Sequence, residues 1–102
     1  MNLKILSKAD AIVAVFEGEL DESTSMAVKK KLDTAIEMMR VQNFIFDFEQ
    51  LTFMDSTGIG VLLGRYKKLK QKSIQIFISS PNNCVDKILN MAGVYSIIKK
   101  IG

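Results

Sequence analysis

Phe44-Ile45-Phe46-Asp47-Phe48 leads within a few residues into Leu51-Thr52-Phe53-Met54-Asp55-Ser56-Thr57-Gly58-Ile59-Gly60, and this passage decides the architecture. Its first part has a period of two, so three phenylalanines share one face of a central strand. Ile45 and Asp47 take the other face, where a carboxylate is costly unless hydrogen-bonded near the strand's end. Glu49–Asp55 reads as a connection. From about Thr57 to Gln71 the period becomes helical, with Ile59, Leu62, Leu63, Tyr66 and Leu69 as the apolar stripe. A buried strand followed by such a helix is half of a β-α-β unit.

Toward the N-terminus, Leu3–Leu6 and Ala11–Phe16 are strands, and Ala9-Asp10 between them predicts a hairpin. Gly18-Glu19-Leu20-Asp21 interrupts this pattern. Asp21 or Ser23 can then cap a helix over Glu22–Arg40, whose apolar stripe is Val28, Leu32, Ala35, Ile36 and Met39. Lys29, Lys30, Asp33 and Glu37 lie off the stripe. Toward the C-terminus, Ile74–Ile78 is a further strand. Ser80-Pro81 reads as an N-cap followed by proline at the first helical position. The third helix runs to about Met91, with Val85, Ile88 and Leu89 inward and Gly93 as its stop. Ile97–Ile101 can add a last short strand. The expectation is a single α/β domain over residues 1–102, a mixed sheet with the order ββαβαβα(β).

Composition narrows the chemistry. The 102 residues contain no histidine, which excludes a serine–histidine triad, an imidazole base and a histidine-ligated metal. One cysteine, Cys84, makes neither an internal disulfide nor a cysteine-based zinc site. It is read as a small packed residue of the third helix, with reactivity as the alternative. No metal or cofactor is expected. No apolar run approaches the ~20 residues that span a bilayer, and no signal-peptide core opens the chain, so a cytoplasmic protein without membrane contact is expected.

The net charge of +3 conceals an asymmetry. Residues 10–55 carry ten acids and four bases, whereas residues 56–102 carry one acid and eight bases. Most of the second excess lies in Arg65-Tyr66-Lys67-Lys68-Leu69-Lys70-Gln71-Lys72. Such a cluster is either a solvated helix face or a surface for phosphates. No aromatic interleaving accompanies it, and the solvated face is the reading adopted, with no direct nucleic-acid partner.

Asp-Ser-Thr-Gly falls where the central strand hands over to the second helix, at the strand ends where sites gather in open α/β sheets. Gly58 and Gly60 cost about 1 kcal/mol each relative to alanine inside a helix, so they need a reason. Three readings compete. In the first, Asp55 or Ser56 caps the helix, and Gly60 and Gly64, at i and i+4, let it pack tightly against the sheet. Alternatively Gly58-x-Gly60-x-x-x-Gly64 is a loosened nucleotide-binding turn, as in a small nucleotide-binding or hydrolysing protein, although a seven-residue connection argues against it. In the third reading Ser56 is exposed and accepts a phosphoryl group as a switch.

Phe53-Met54-Asp55-Ser56-Thr57-Gly58-Ile59-Gly60-Val61-Leu62-Leu63-Gly64-Arg65-Tyr66-Lys67 resembles the signature of the STAS-domain anti-sigma factor antagonists. Gly18-Glu19-Leu20-Asp21 is similar to that family's entry into its first helix, and Met91-Ala92-Gly93-Val94 to the end of its third. Thr57 stands where the sporulation branch often has a second serine, as in the general-stress branch. The resemblance implies a binding module that is not an enzyme. In its unphosphorylated form it binds an anti-sigma factor that is also a serine kinase, so that a sigma factor is freed for transcription. Phosphorylation of Ser56 ends the association, and a PP2C-type phosphatase restores it.

The partner-binding set expected around that phosphoprotein site is Asp21, Met54, Asp55, Ser56, Thr57, Gly58 and Ile59. Within it, Asp21 either hydrogen-bonds the Ser56 hydroxyl or a partner, or serves as an N-cap. Met54 and Ile59 form an apolar docking rim, with core burial the alternative for Met54. Thr57 is a second acceptor or a packing residue.

Overall fold

A computed structural model describes residues 1–102. Its elements are β1 (Asn2–Lys8), β2 (Ala11–Leu20), α1 (Ser25–Met38), β3 (Asn43–Met54), α2 (Ser56–Gln71), β4 (Gln75–Ser79), α3 (Asn83–Met91), a 3-10 turn (Val94–Ser96) and β5 (Lys99–Ile101). The strands lie side by side in chain order, with β1 antiparallel to β2 and every later pair parallel. This is the expected mixed α/β sheet. Ala9 turns the hairpin with φ of 49°, and Lys8 faces Ala11 across it.

Right-handed crossovers between successive parallel neighbours put all three helices on one face of the sheet. The inward side chains there are dry: Ile12, Ala14, Phe16, Phe44, Phe46, Phe48 and Ile78 join Leu32, Leu62, Leu69, Val85 and Leu89 in one core. Phe16 meets Phe48 edge-on at 5.1 Å between ring centroids, a favoured aromatic geometry. Ile45 and Asp47 lie half-buried on the opposite face, as the alternation predicts. No helix is long and apolar enough to cross a membrane.

Four boundaries differ from the sequence reading, each for a physical reason. β2 does not stop at Phe16 but continues through Gly18, where φ of +106° favours glycine and the register against β3 shifts. β3 likewise runs on through Glu49–Met54, so the supposed seven-residue connection is Asp55 alone. Burial in this stretch falls at Phe48, Leu51 and Met54, a spacing of three imposed by the bulged pairing, which hides the strand from a period-two search. α1 begins at Ser25 rather than Glu22 because Asp21 first closes a tight turn.

The fourth difference is at α3, whose N-cap is Asn82 and not Ser80. The Asn82 side chain accepts from the Val85 N–H at 2.8 Å and donates to the Leu51 carbonyl at 3.1 Å, so it caps the helix and ties it to β3 together. Cys84, expected to be packed, is exposed in the first turn of α3.

The basic cluster is also not a plain solvated face. Arg65 is buried, its Nε 3.1 Å from Asp33 Oδ1 on α1, and Lys68 Nζ reaches the same oxygen at 3.0 Å. Lys72 Nζ donates to the Ile36 carbonyl at 2.7 Å. Three of its five cations therefore fasten α2 to α1, which leaves little of the cluster for a phosphate backbone.

Candidate functional site at the start of α2

Parallel pairing brings the C-terminal ends of β2 and β3 together, with Glu19 opposite Phe53 and Leu20 opposite Met54. The Asp55 N–H then donates to the Leu20 carbonyl at 3.4 Å, so the residues that leave the two strands, Asp21 and Asp55, sit at one edge of the sheet. Thr52 Oγ1 donates to the Gly18 carbonyl at 3.0 Å and holds the bulge beneath them.

Asp55 is the N-cap of α2. Its backbone is extended, and its Oδ1 accepts from the Gly58 N–H at 3.0 Å. Ser56 is therefore the first helical residue and not the cap. Its side chain is exposed. At this position the Ser56 and Thr57 N–H groups have no carbonyl one turn back to bond, so donors and the positive end of the helix dipole surround the hydroxyl. Thr57 is half-buried just below it.

Two residues of the expected docking set are not at the surface. Met54 is 1% exposed and belongs to the core, because the bulged register turns it inward beneath α2. Gly58 is buried, and a Cβ there would lie 2.6 Å from Met54 Cγ and 2.8 Å from the Leu20 carbonyl oxygen. These two residues, and not Gly60 and Gly64, where an added Cβ would have nothing within 4 Å, set how closely α2 approaches the sheet; they are withdrawn from the contact surface. Ile59 is half-buried and packs against the core.

Asp21 makes no bond to Ser56. Its Oδ1 accepts from the Ser23 hydroxyl at 2.7 Å, the Ser23 N–H at 3.0 Å and the Thr24 N–H at 3.2 Å, while its own N–H donates to Thr24 Oγ1 at 3.0 Å. The Ser23 hydroxyl, followed by the two backbone N–H groups, holds the Asp21 carboxyl below the ordinary carboxylate range. It therefore stays ionised to a lower pH than a free aspartate and places a negative charge beside the site. Glu19 and Glu22 are exposed on either side of it.

One exposed residue escaped the sequence reading. Phe53 is 40% exposed opposite Glu19, next to the site, and its place in an assumed loop concealed it. The nucleotide-binding alternative finds no cradle, since Gly58 faces the core, Gly60 faces open space, and the Asp55 carboxylate already occupies the Gly58 N–H.

The STAS domain model matches residues 2–102. The chain belongs to the STAS domain family. It is 35% identical over 100 residues to the anti-sigma F factor antagonist of Paenibacillus polymyxa, covering 96% of this chain and 86% of that one. Its fold matches the unphosphorylated form of the anti-sigma factor antagonist SpoIIAA with a TM-score of 0.84 at 27% identity, over 99% of this chain and 89% of the other. The phosphorylated form of SpoIIAA from Bacillus matches with a TM-score of 0.75 at 26% identity, over 99% and 92% of the two chains.

Proposed function

We propose that this STAS domain is an anti-sigma factor antagonist switched by phosphorylation of Ser56. The unphosphorylated protein binds an anti-sigma factor with serine-kinase activity, and the sigma factor held by that kinase is released. The observation that carries this reading is the exposed Ser56 hydroxyl on the first residue of α2, directly after a capping aspartate. Its likeness to an antagonist solved in unphosphorylated and phosphorylated forms supports it.

The chemistry asks little of the chain itself, which acts as substrate and ligand rather than enzyme. Ser56 Oγ attacks the γ-phosphorus of ATP held by the kinase. The new O–P bond forms as the bond to the β-phosphate oxygen breaks, ADP leaves, and the hydroxyl proton passes to a base of the kinase. The product gains about −1.5 to −2 charges at neutral pH.

Two effects then separate. The free N–H groups of Ser56 and Thr57 and the helix dipole receive the phosphate locally, so the fold stays as it is. The surface changes much more, because the phosphate joins Glu19, Asp21 and Asp55 on one edge. A partner bearing anionic groups there, such as the phosphates of its bound nucleotide, is repelled. A few kcal/mol is enough, since each 1.4 kcal/mol is about tenfold in affinity. A PP2C-type phosphatase resets the switch by hydrolysing the ester.

Of the expected contact set, Asp21, Asp55, Ser56, Thr57 and Ile59 remain available, with Phe53 added as an apolar contact. The test is intact-mass analysis after incubation with the anti-sigma factor kinase and ATP. One added phosphate, mapped to Ser56 and missing in Ser56→Ala, is expected. A phosphate that persists in Ser56→Ala overturns the assignment.

A further inference from the structure

β1 is an outer strand, with β2 along one side and no strand along the other. The hairpin fixes which backbone groups remain free. Ala9 and Asp10 form a two-residue loop, so Lys8 and Ala11 close it as a hydrogen-bonded pair. Hydrogen-bonded pairs then recur at Leu6 with Val13, Lys4 with Val15 and Asn2 with Glu17. Leu3, Ile5 and Ser7 between them direct their N–H and C=O groups away from the sheet. One of these groups is already engaged, because the Leu3 carbonyl accepts from Lys31 Nζ on α1. The groups of Ile5 and Ser7 form an open edge.

Beside this edge lies a groove of about 610 Å³ between β1 and the flank of α1, lined by Ile5, Ala27, Ala35 and Met38 together with Lys30 and Lys31. Met38 is 78% exposed in it. The residues that β1 points toward the helices are Leu3 and Ile5, so a strand added outside β1 would drop every second side chain into this groove. Its other side chains would emerge on the far face of the sheet, beside Lys4 and Lys8. The only carboxylate that reaches Lys4 is Glu17, at 3.7 Å, and the Lys4 side chain stays 56% exposed.

We propose that the outer edge of β1 and the adjoining groove form a docking site for an extended segment of a partner protein, apolar and acidic at alternate positions, that adds to the sheet as a strand. Backbone hydrogen bonds to Ile5 and Ser7 bind any extended chain. The groove selects apolar residues at every second position, and Lys4 and Lys8 select carboxylates at the positions between. A second copy of this chain does not fit, because antiparallel pairing of two β1 edges would bring lysines of both copies together. Lysines on an open edge guard against indiscriminate pairing, and an acidic strand turns that guard into recognition. The site stands apart from Ser56 and does not rest on the phosphorylation reading.

The test uses the full chain and a fluorescein-labelled probe, Val-Glu-Val-Glu-Val-Glu-Val with blocked ends, followed by anisotropy and amide NMR. Saturable binding is expected, with the largest shifts at Leu3, Ile5 and Ser7. Ser7→Pro removes an N–H outside the β1–β2 ladder, so it should leave the circular dichroism intact and weaken the probe about tenfold or more. Should that variant unfold, Lys4→Glu with Lys8→Glu provides the second arm, since it should exchange preference for the Glu probe for preference for its Val-Lys counterpart. No binding at millimolar probe overturns the proposal. So do equal binding of a Val-block, Glu-block peptide, shifts centred elsewhere, or a dimer that Ser7→Pro dissolves.

Discussion

A methyl group at Gly58 would meet the Leu20 carbonyl oxygen at 2.8 Å, and backbone does not yield as a flexible side chain does. Gly58→Ala is therefore expected to lower stability by about 1–3 kcal/mol, as overpacking does. Gly60 stands two residues further along the same helix, and a Cβ added there would have nothing within 4 Å. There alanine gains helix propensity, and Gly60→Ala should raise stability by about 0.5–1 kcal/mol. Urea denaturation of the two variants measures the opposite signs. At Ser56 the substitutions separate charge from contact. Ser56→Ala should fold and still bind the anti-sigma factor, while Ser56→Asp should bind about tenfold or more weakly if repulsion governs release; isothermal titration measures both. The start of α2 was legible to within a residue, with the cap left open between Asp55 and Ser56, because a helix start is a local matter. Met54 was not, because a bulge in a neighbouring strand decides which way it points.

Between elements, the join of α1 to α2 rests on charge as well as on apolar packing. Arg65 has 10% of its side chain exposed, and the carboxylate that answers it belongs to Asp33. The Arg65 Nε lies close to Asp33 Oδ1 without the alignment of a good hydrogen bond, and Arg65 Nη1 is buried without a protein partner. Asp33→Ala would leave a buried cation with fewer partners and should cost about 1–3 kcal/mol in chemical denaturation. Lys68→Ala should change little, since that partner is 44% exposed. Helical periodicity placed Asp33 and Arg65 off their stripes but gave no means of knowing that the two helices lie side by side.

The junction of α3 with β5 carries a pH dependence at both ends of the scale. Asp86 Oδ1 accepts from the Tyr95 hydroxyl at 2.5 Å and from Lys100 Nζ at 3.0 Å. The Tyr95 hydroxyl first, then Lys100, holds the Asp86 carboxyl below the ordinary carboxylate range. Its contribution to stability is complete above the unfolded value near about 3.9 and is lost as the pH falls through the lower folded value. Burial, and then Asp86, pushes the Tyr95 hydroxyl well above its ordinary value. That contribution is complete below about 10 and is lost as the pH rises further. Tyr95→Phe should abolish this alkaline loss and leave a smaller acid loss that still begins near the unfolded carboxylate value but is complete at a higher pH, read from urea midpoints across a pH series.

Across the whole molecule, the sheet was readable because Phe44, Phe46 and Phe48 alternate without interruption and because helix-length apolar stripes separate the strands. The length of β2 and β3 was not, since a glycine at φ of +106° and two register shifts break the alternation while the pairing continues. On the proposed function those added residues matter, because they carry Glu19, Asp21, Phe53 and Asp55 to the same end of the sheet as Ser56. In that proposal the sheet end with its capped helix is a place where a phosphate would alter the surface and leave the core untouched.

The most direct measurement compares the affinity of the anti-sigma factor kinase for the unmodified protein and for the protein stoichiometrically phosphorylated on Ser56, with amide NMR spectra recorded on both. An affinity loss of about a hundredfold or more is expected, with spectral changes confined to the start of α2 and the turn at Asp21. Equal affinities, or a loss accompanied by shifts spread through the sheet and its core, would contradict it.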